Sequence, residues 1–147
     1  MFKPDDFFDL THYAHRDLFA DVEFVWDVLK WLREYLEHTL QPGIAGTVMD
    51  GAYLADDRIQ IGRGSIVEPG AYIVGPTIIG ENTVVRQGAY IRGNVLVGND
   101  CVVGHTSEFK SSILLDDCSA AHFNYVGDSI LGNQTNLGAG TKLSNLK

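Results

Sequence analysis

The chain has 147 residues, 45% of them apolar and 20% charged, with 16 glycines and a formal charge of −8 at pH 7. That length fits one domain with room for a small appendage, and so much glycine excludes a helical domain in favour of one built on many tight turns. The acidity speaks against nucleic acid as partner while leaving small anions open, and no apolar leader or membrane-length run is present, so a cytoplasmic protein without a membrane partner is expected.

From Asp21 to Leu40 the apolar residues Val22, Val25, Trp26, Leu29, Leu32, Leu36 and Leu40 recur every three or four positions, which predicts an amphipathic helix ended by Pro42 and Gly43. Before it, Phe7, Phe8, Tyr13 and Phe19 follow no steady period and predict an irregular arm lying on another surface. The helix stripe needs such a surface too, since an isolated helix of this length is marginal in water.

Beyond Gly46 the chain repeats in sixes. From Ile61 it reads IGRGSI, VEPGAY, IVGPTI, IGENTV, VRQGAY, IRGNVL, VGNDCV, VGHTSE, FKSSIL, LDDCSA, preceded by VMDGAY and LADDRI with Gln60 as one extra residue. The first position is apolar, which supplies one inward side chain per flat side of a narrow coil. The fourth position, as at Gly64, Gly70, Asn82, Gly88, Asn94 and Asp100, holds residues that tolerate positive φ and predicts a backbone corner. The fifth is small. Cys101 and Cys118 fall among these small positions and are expected as packed thiols, with neither a disulfide nor a metal.

This pattern resembles the hexapeptide-repeat family, whose chains wind as left-handed parallel β-helices with three hexads to a triangular coil. The resemblance implies an all-β fold: a left-handed parallel β-helix over residues 47–147, with an N-terminal α-helical appendage in residues 1–46. Three hexads per turn would stack residues 18 apart at the strand spacing of about 4.8 Å. The outward second positions then form three columns: Gly62, Gly80, Gly98, Asp116; Val74, Arg92, Lys110; and Glu68, Arg86, Gly104, His122. Arg92 and Lys110 stack without a facing carboxylate in that column, which suits an anion such as phosphate held between them. Solvated cations splayed apart, or pairing with a neighbouring subunit, are the other readings. In SAAHFNYVGD (119–128) the rhythm fails: Ala121 to Leu131 spans ten residues where two hexads take twelve, so this coil is expected to be two residues short beside His122.

From Arg92 onward the segments VGHTSEFKSSIL, AAHFNYVGDSILG and NLGAGTKLSN resemble the acetyltransferase domain of the bifunctional enzymes that make UDP-N-acetylglucosamine, and short sugar-nucleotide-associated proteins that carry the same domain. The resemblance implies His122 as the general base taking a proton from a substrate amine, a task suited to imidazole. It implies Arg92 and Lys110 as the sugar-phosphate pair, Tyr125 and Asn136 as amino-sugar contacts, and Ala139 and Asn145 on the side of acetyl-CoA, the acyl donor. It also implies a homotrimer and a sugar phosphate or nucleotide sugar as partner, with further coils after NLGAG, so that the β-helix reads as truncated at Lys147. A non-catalytic trimeric module that binds sugar phosphate beside a nucleotidyltransferase is the alternative. A zinc hydratase would need three converging histidines, and Lys110 stands where a ligand after His105 would be needed, so no metal is expected.

Overall fold

A computed structural model describes residues 1–144. Eighteen short parallel strands form three six-stranded sheets, the flat faces of a triangular left-handed β-helix of about six turns. On each face, strands that neighbour one another in space belong to successive coils. The first face runs from Gly43–Ile44 to Ile130–Leu131, the second from Thr47–Val48 to Asn136–Leu137, and the third from Tyr53–Leu54 to Lys142–Leu143.

The first-position residues build the core as the hexads demand. Ile61, Ile79, Val97 and Leu114 point inward from the first face, Val67, Val85, Val103 and Ala120 from the second, and Ile73, Ile91, Phe109 and Val126 from the third, all essentially without solvent contact. The expected corners are present: Gly64, Gly70 and Gly88 have φ of 76, 83 and 76°, and Asn82, Asn94 and Asp100 have 52, 54 and 57°. Small fifth-position residues knit the coils together. Ser65 accepts the Thr83 N–H at 2.9 Å, and Thr83 in turn accepts the Cys101 N–H at 3.1 Å. Cys101 and Cys118 continue this buried ladder as free thiols, and the Cys101 sulfur together with burial pushes the Cys118 thiol up.

The first face differs from the others because its outward residues are buried as well: Ile78, Leu96 and Ile113 are at most 2% exposed. They share one apolar cluster with Tyr13, Leu18 and Phe19 of the arm and Val28, Leu32 and Leu36 of helix α1 (Val28–Thr39). The arm is tied down by polar contacts too, since Asp9 N–H donates to Asn133 Oδ1 and Gln41 N–H to Gln60 Oε1. Helix α1 starts seven residues later than the apolar period suggests. Phe24 is extended, the Val25 N–H is taken by the Phe2 carbonyl at 2.8 Å, and Val25–Asp27 form only a 3₁₀ turn, so the arm claims the donors that an earlier helix start would need. Among the described residues no helix is long and apolar enough to cross a membrane.

Coil length is corrected by the strand register. Pairs are 18 apart from Ile61↔Ile79 to Ile91↔Phe109, then 17 apart from Val97↔Leu114 onward. Besides a four-residue step from Ile44 to Val48 in the first coil, the edge between the third and first faces absorbs the variation. Leu54 to Ile61 takes seven residues, Ile73 to Ile79 and Ile91 to Val97 take six, and Phe109 to Leu114 and Val126 to Leu131 take five. Where Gly93 and Asn94 both adopt positive φ, the next coil turns on Ser111 alone and the one after on Asp128 alone. The expected two-residue deficit is therefore one residue in each of two coils, and the stretch from Leu114 through Ala120 to Val126 keeps the six-residue step. It follows that Leu115 stacks over Gly98 and Ala121 over Gly104, in place of Asp116 and His122.

Candidate active site

His122 lies in register with His105, at the end of the second face where the chain turns onto the third. The turn is unusual: Phe123 holds φ of 51°, a conformation that bulky residues rarely adopt, and Thr106 holds 47° one coil below. Buried Asn124 pins it. Its Oδ1 accepts the His122 N–H at 3.1 Å, its Nδ2 donates to the Gly138 carbonyl at 2.8 Å, and its own N–H donates to Ser107 Oγ at 3.0 Å. The His122 ring is exposed and has no side-chain hydrogen bond among the described residues. The His105 ring, by contrast, is held by Nδ1 at 3.0 Å from the Gln87 carbonyl and by the edge of Phe123, with ring centres 5.2 Å apart. In the sequence His105 enters only in the argument against zinc, and Asn124 is given no role. Asn124 could have been found as the largest residue in a fifth-position column, above Ser107.

The third face carries two outward columns. One holds Tyr53, Tyr72, Tyr90, Glu108 and Tyr125, and the other holds Arg92, Lys110 and Gly127. Arg92 and Lys110 stack on adjacent coils as the spacing predicted, but each has a carboxylate partner, which removes the premise that they lack one. Arg92 Nη1 lies 3.1 Å from Glu108 Oε2, and Lys110 Nζ lies 3.3 Å from Asp128 Oδ2. Glu108 sits in the neighbouring column and Asp128 at the shortened corner, so neither appears in a reading confined to second positions. Tyr125 folds its ring over Gly127, where an added Cβ would stand 2.7 Å from Tyr125 Cε1.

These groups make a mixed-charge face edged by the exposed imidazole of His122. Tyr125, Arg92 and Lys110 share the third face, and His122 stands on its edge. Asn136 and Ala139 lie across that edge, on the second face one coil above Ser119 and His122. Asn145 falls outside the described residues. No three His, Cys, Asp or Glu side chains converge as a metal-binding group among the described residues. Two open clefts, of about 1080 and 470 Å³, lie along the arm and helix α1, and neither has His122, Arg92, Lys110 or Tyr125 on its walls.

Comparison with known proteins identifies the family. The chain is 32% identical over 127 residues to the bifunctional protein GlmU of Methanococcus maripaludis, an alignment covering 86% of this chain and 30% of that relative. It is 40% identical over 43 residues to the bifunctional protein GlmU of Methanococcus aeolicus, covering 29% of this chain and 10% of the relative. The chain thus spans less than a third of the length of these relatives. Among solved structures, a hexapeptide transferase family protein from Anaplasma phagocytophilum aligns over 68% of this chain and 70% of its own, at 19% identity and a TM-score of 0.34. A family model described as the GMPPB C-terminal domain matches residues 73–147, which spans every strand from the third coil on and all the site residues named above. With just over half its length matched, the chain belongs to the GMPPB C-terminal domain family.

Proposed function

We propose that this protein is an acyltransferase that moves an acetyl group from acetyl-CoA to the amine of an amino-sugar phosphate such as glucosamine 1-phosphate. The observation that carries the reading is the exposed imidazole of His122 on the edge of a face bearing Arg92, Lys110 and Tyr125. Support also comes from the residue-by-residue resemblance of AAHFNYVGDSILG to the acetyltransferase domain of the bifunctional enzymes and from the 32% identity to one of them.

In this reading the phosphate of the sugar is held by Arg92 and Lys110, and the sugar ring packs against Tyr125, with Asn136 as a polar contact. The ion pair of Arg92 with Glu108 suits that ligand, because a carboxylate beside a cation matches a ligand bearing both ammonium and phosphate. As the neutral amine attacks the thioester carbonyl, His122 takes a proton from the nitrogen. The N–C bond forms and the C–S bond breaks. The proton then passes to the departing CoA thiolate. Ala139 is assigned to the acyl-donor side, the role that the resemblance also gives to Asn145, which lies outside the described residues. In this reading a neighbouring copy in a homotrimer completes the site, and the position of Asn136 and Ala139 on a different face from Lys110 supports it. The proposed setting is the cytoplasm.

Release of CoA thiol from acetyl-CoA and glucosamine 1-phosphate tests the reading. His122→Ala is expected to lose at least about a hundredfold in rate while keeping its melting temperature; an unchanged rate removes His122 as the base. Binding of glucosamine 1-phosphate without any binding of acetyl-CoA, measured by calorimetry, would replace the enzyme with a sugar-phosphate-binding module.

A further inference from the structure

Four aromatic rings that acyl transfer does not use form one surface on the arm and the start of the helical segment. Phe2 and Phe7 stack with ring centres 6.4 Å apart, Phe2 meets Trp26 at 5.8 Å, and Trp26 stacks on Phe24 at 5.1 Å with the planes 7° apart. Phe2, Phe7 and Trp26 are 44, 53 and 50% exposed. Contiguous apolar surface of this kind marks interaction sites in soluble proteins, because each ring is stabilised when a partner removes it from water.

The surface is rigid and built. Phe2 is held by the Val25 N–H on its carbonyl at 2.8 Å and keeps φ at 64°, a conformation rare for a bulky residue. Lys3 N–H donates to Asp6 Oδ2 at 2.9 Å. Phe7 packs on Phe8 with centres 6.2 Å apart, and Phe8 packs edge-on to buried Phe19 at 6.0 Å, so the outer rings stand on the core. A preorganised patch gives up little conformational entropy on binding.

Charge selects the occupant. Residues 1–40 carry nine Asp or Glu against four Lys or Arg. Asp5 beside Phe7 and Glu23 beside Phe24 join no ion pair among the described residues. A second copy would set acidic rim against acidic rim, and an anionic lipid surface would be repelled in the same way. We infer that the Phe2, Phe7, Phe24 and Trp26 surface docks a segment of a separate protein that presents an apolar face flanked by Lys or Arg.

The test uses Trp31→Phe protein, in which Trp26 is the one remaining indole. A short amphipathic helical peptide of Leu and Lys is expected to shift Trp26 emission to the blue and to saturate, while its Leu and Glu counterpart does neither. Adding Phe7→Ser or, separately, Phe2→Ser should weaken the Leu–Lys peptide about tenfold with the circular dichroism spectrum unchanged. Affinity unaffected by both serine variants reduces the effect to charge alone and overturns the inference. So does equal binding of the Leu–Glu peptide, a Trp26 shift with phosphatidylglycerol vesicles in place of the peptide, or self-association in sedimentation that Phe7→Ser abolishes.

Discussion

At Gly127 the absence of a side chain is what lets Tyr125 lie flat across its own strand, next to Lys110. Gly127→Ala would place a methyl group against the Tyr125 ring edge and force the ring outward. The expected result is a several-fold higher KM for the sugar phosphate with kcat changed less, read by steady-state kinetics. Asp128 raises a complementary question, because its carboxylate occupies Lys110. The pair is partly exposed, so Asp128→Asn should barely move thermal stability. Removing the competing charge should tighten binding of glucosamine 1-phosphate in calorimetry; weaker binding would show instead that Asp128 aims the Lys110 ammonium. The stacking of Arg92 on Lys110 was legible in the sequence because both precede the first shortened corner. The column of His122 was not. Ile113, Leu114 and Leu115 are all apolar and all buried, so a one-residue change of phase leaves the hydrophobic pattern intact and the eye keeps counting in sixes.

The elements repeat that lesson. Strands were legible because a narrow core accepts one inward residue per hexad, and corners because few residues tolerate positive φ. The start of α1 was hidden by a long-range hydrogen bond from Val25 to Phe2, which no local period reports. The helix matters to the coil beneath it: Leu32 and Leu36 are fully buried with Leu96 and Ile113 in one cluster. Leu32→Ala should cost about 2–5 kcal/mol, measured by urea denaturation, since the site cannot collapse against a rigid sheet. If the loss were only a few tenths, the helix would be a passenger and not part of the cooperative unit.

For the whole molecule, the arm, helix and coil meet at His15. Its Nδ1 lies 2.8 Å from the Tyr35 hydroxyl, Tyr13 packs edge-on, and burial holds its pKa below the ordinary 6.5, with Asp116 opposing the shift. A base whose folded pKa is lowered stabilises the fold fully above its unfolded value and loses that contribution as pH falls below it. Urea midpoints should therefore drop between about pH 7.5 and 5.5, and His15→Gln should flatten that dependence. An unchanged slope in the variant would place the titrating group elsewhere.

One edge of the prism takes seven, six, six, five and five residues on successive coils, while the second and third faces remain stacked in register. Such an edge acts as an expansion joint. Length can be added or removed there without disturbing the inward rows, so an epitope or a fluorescent reporter belongs at exposed Asp57, several coils below Lys110, where the joint is already at its longest.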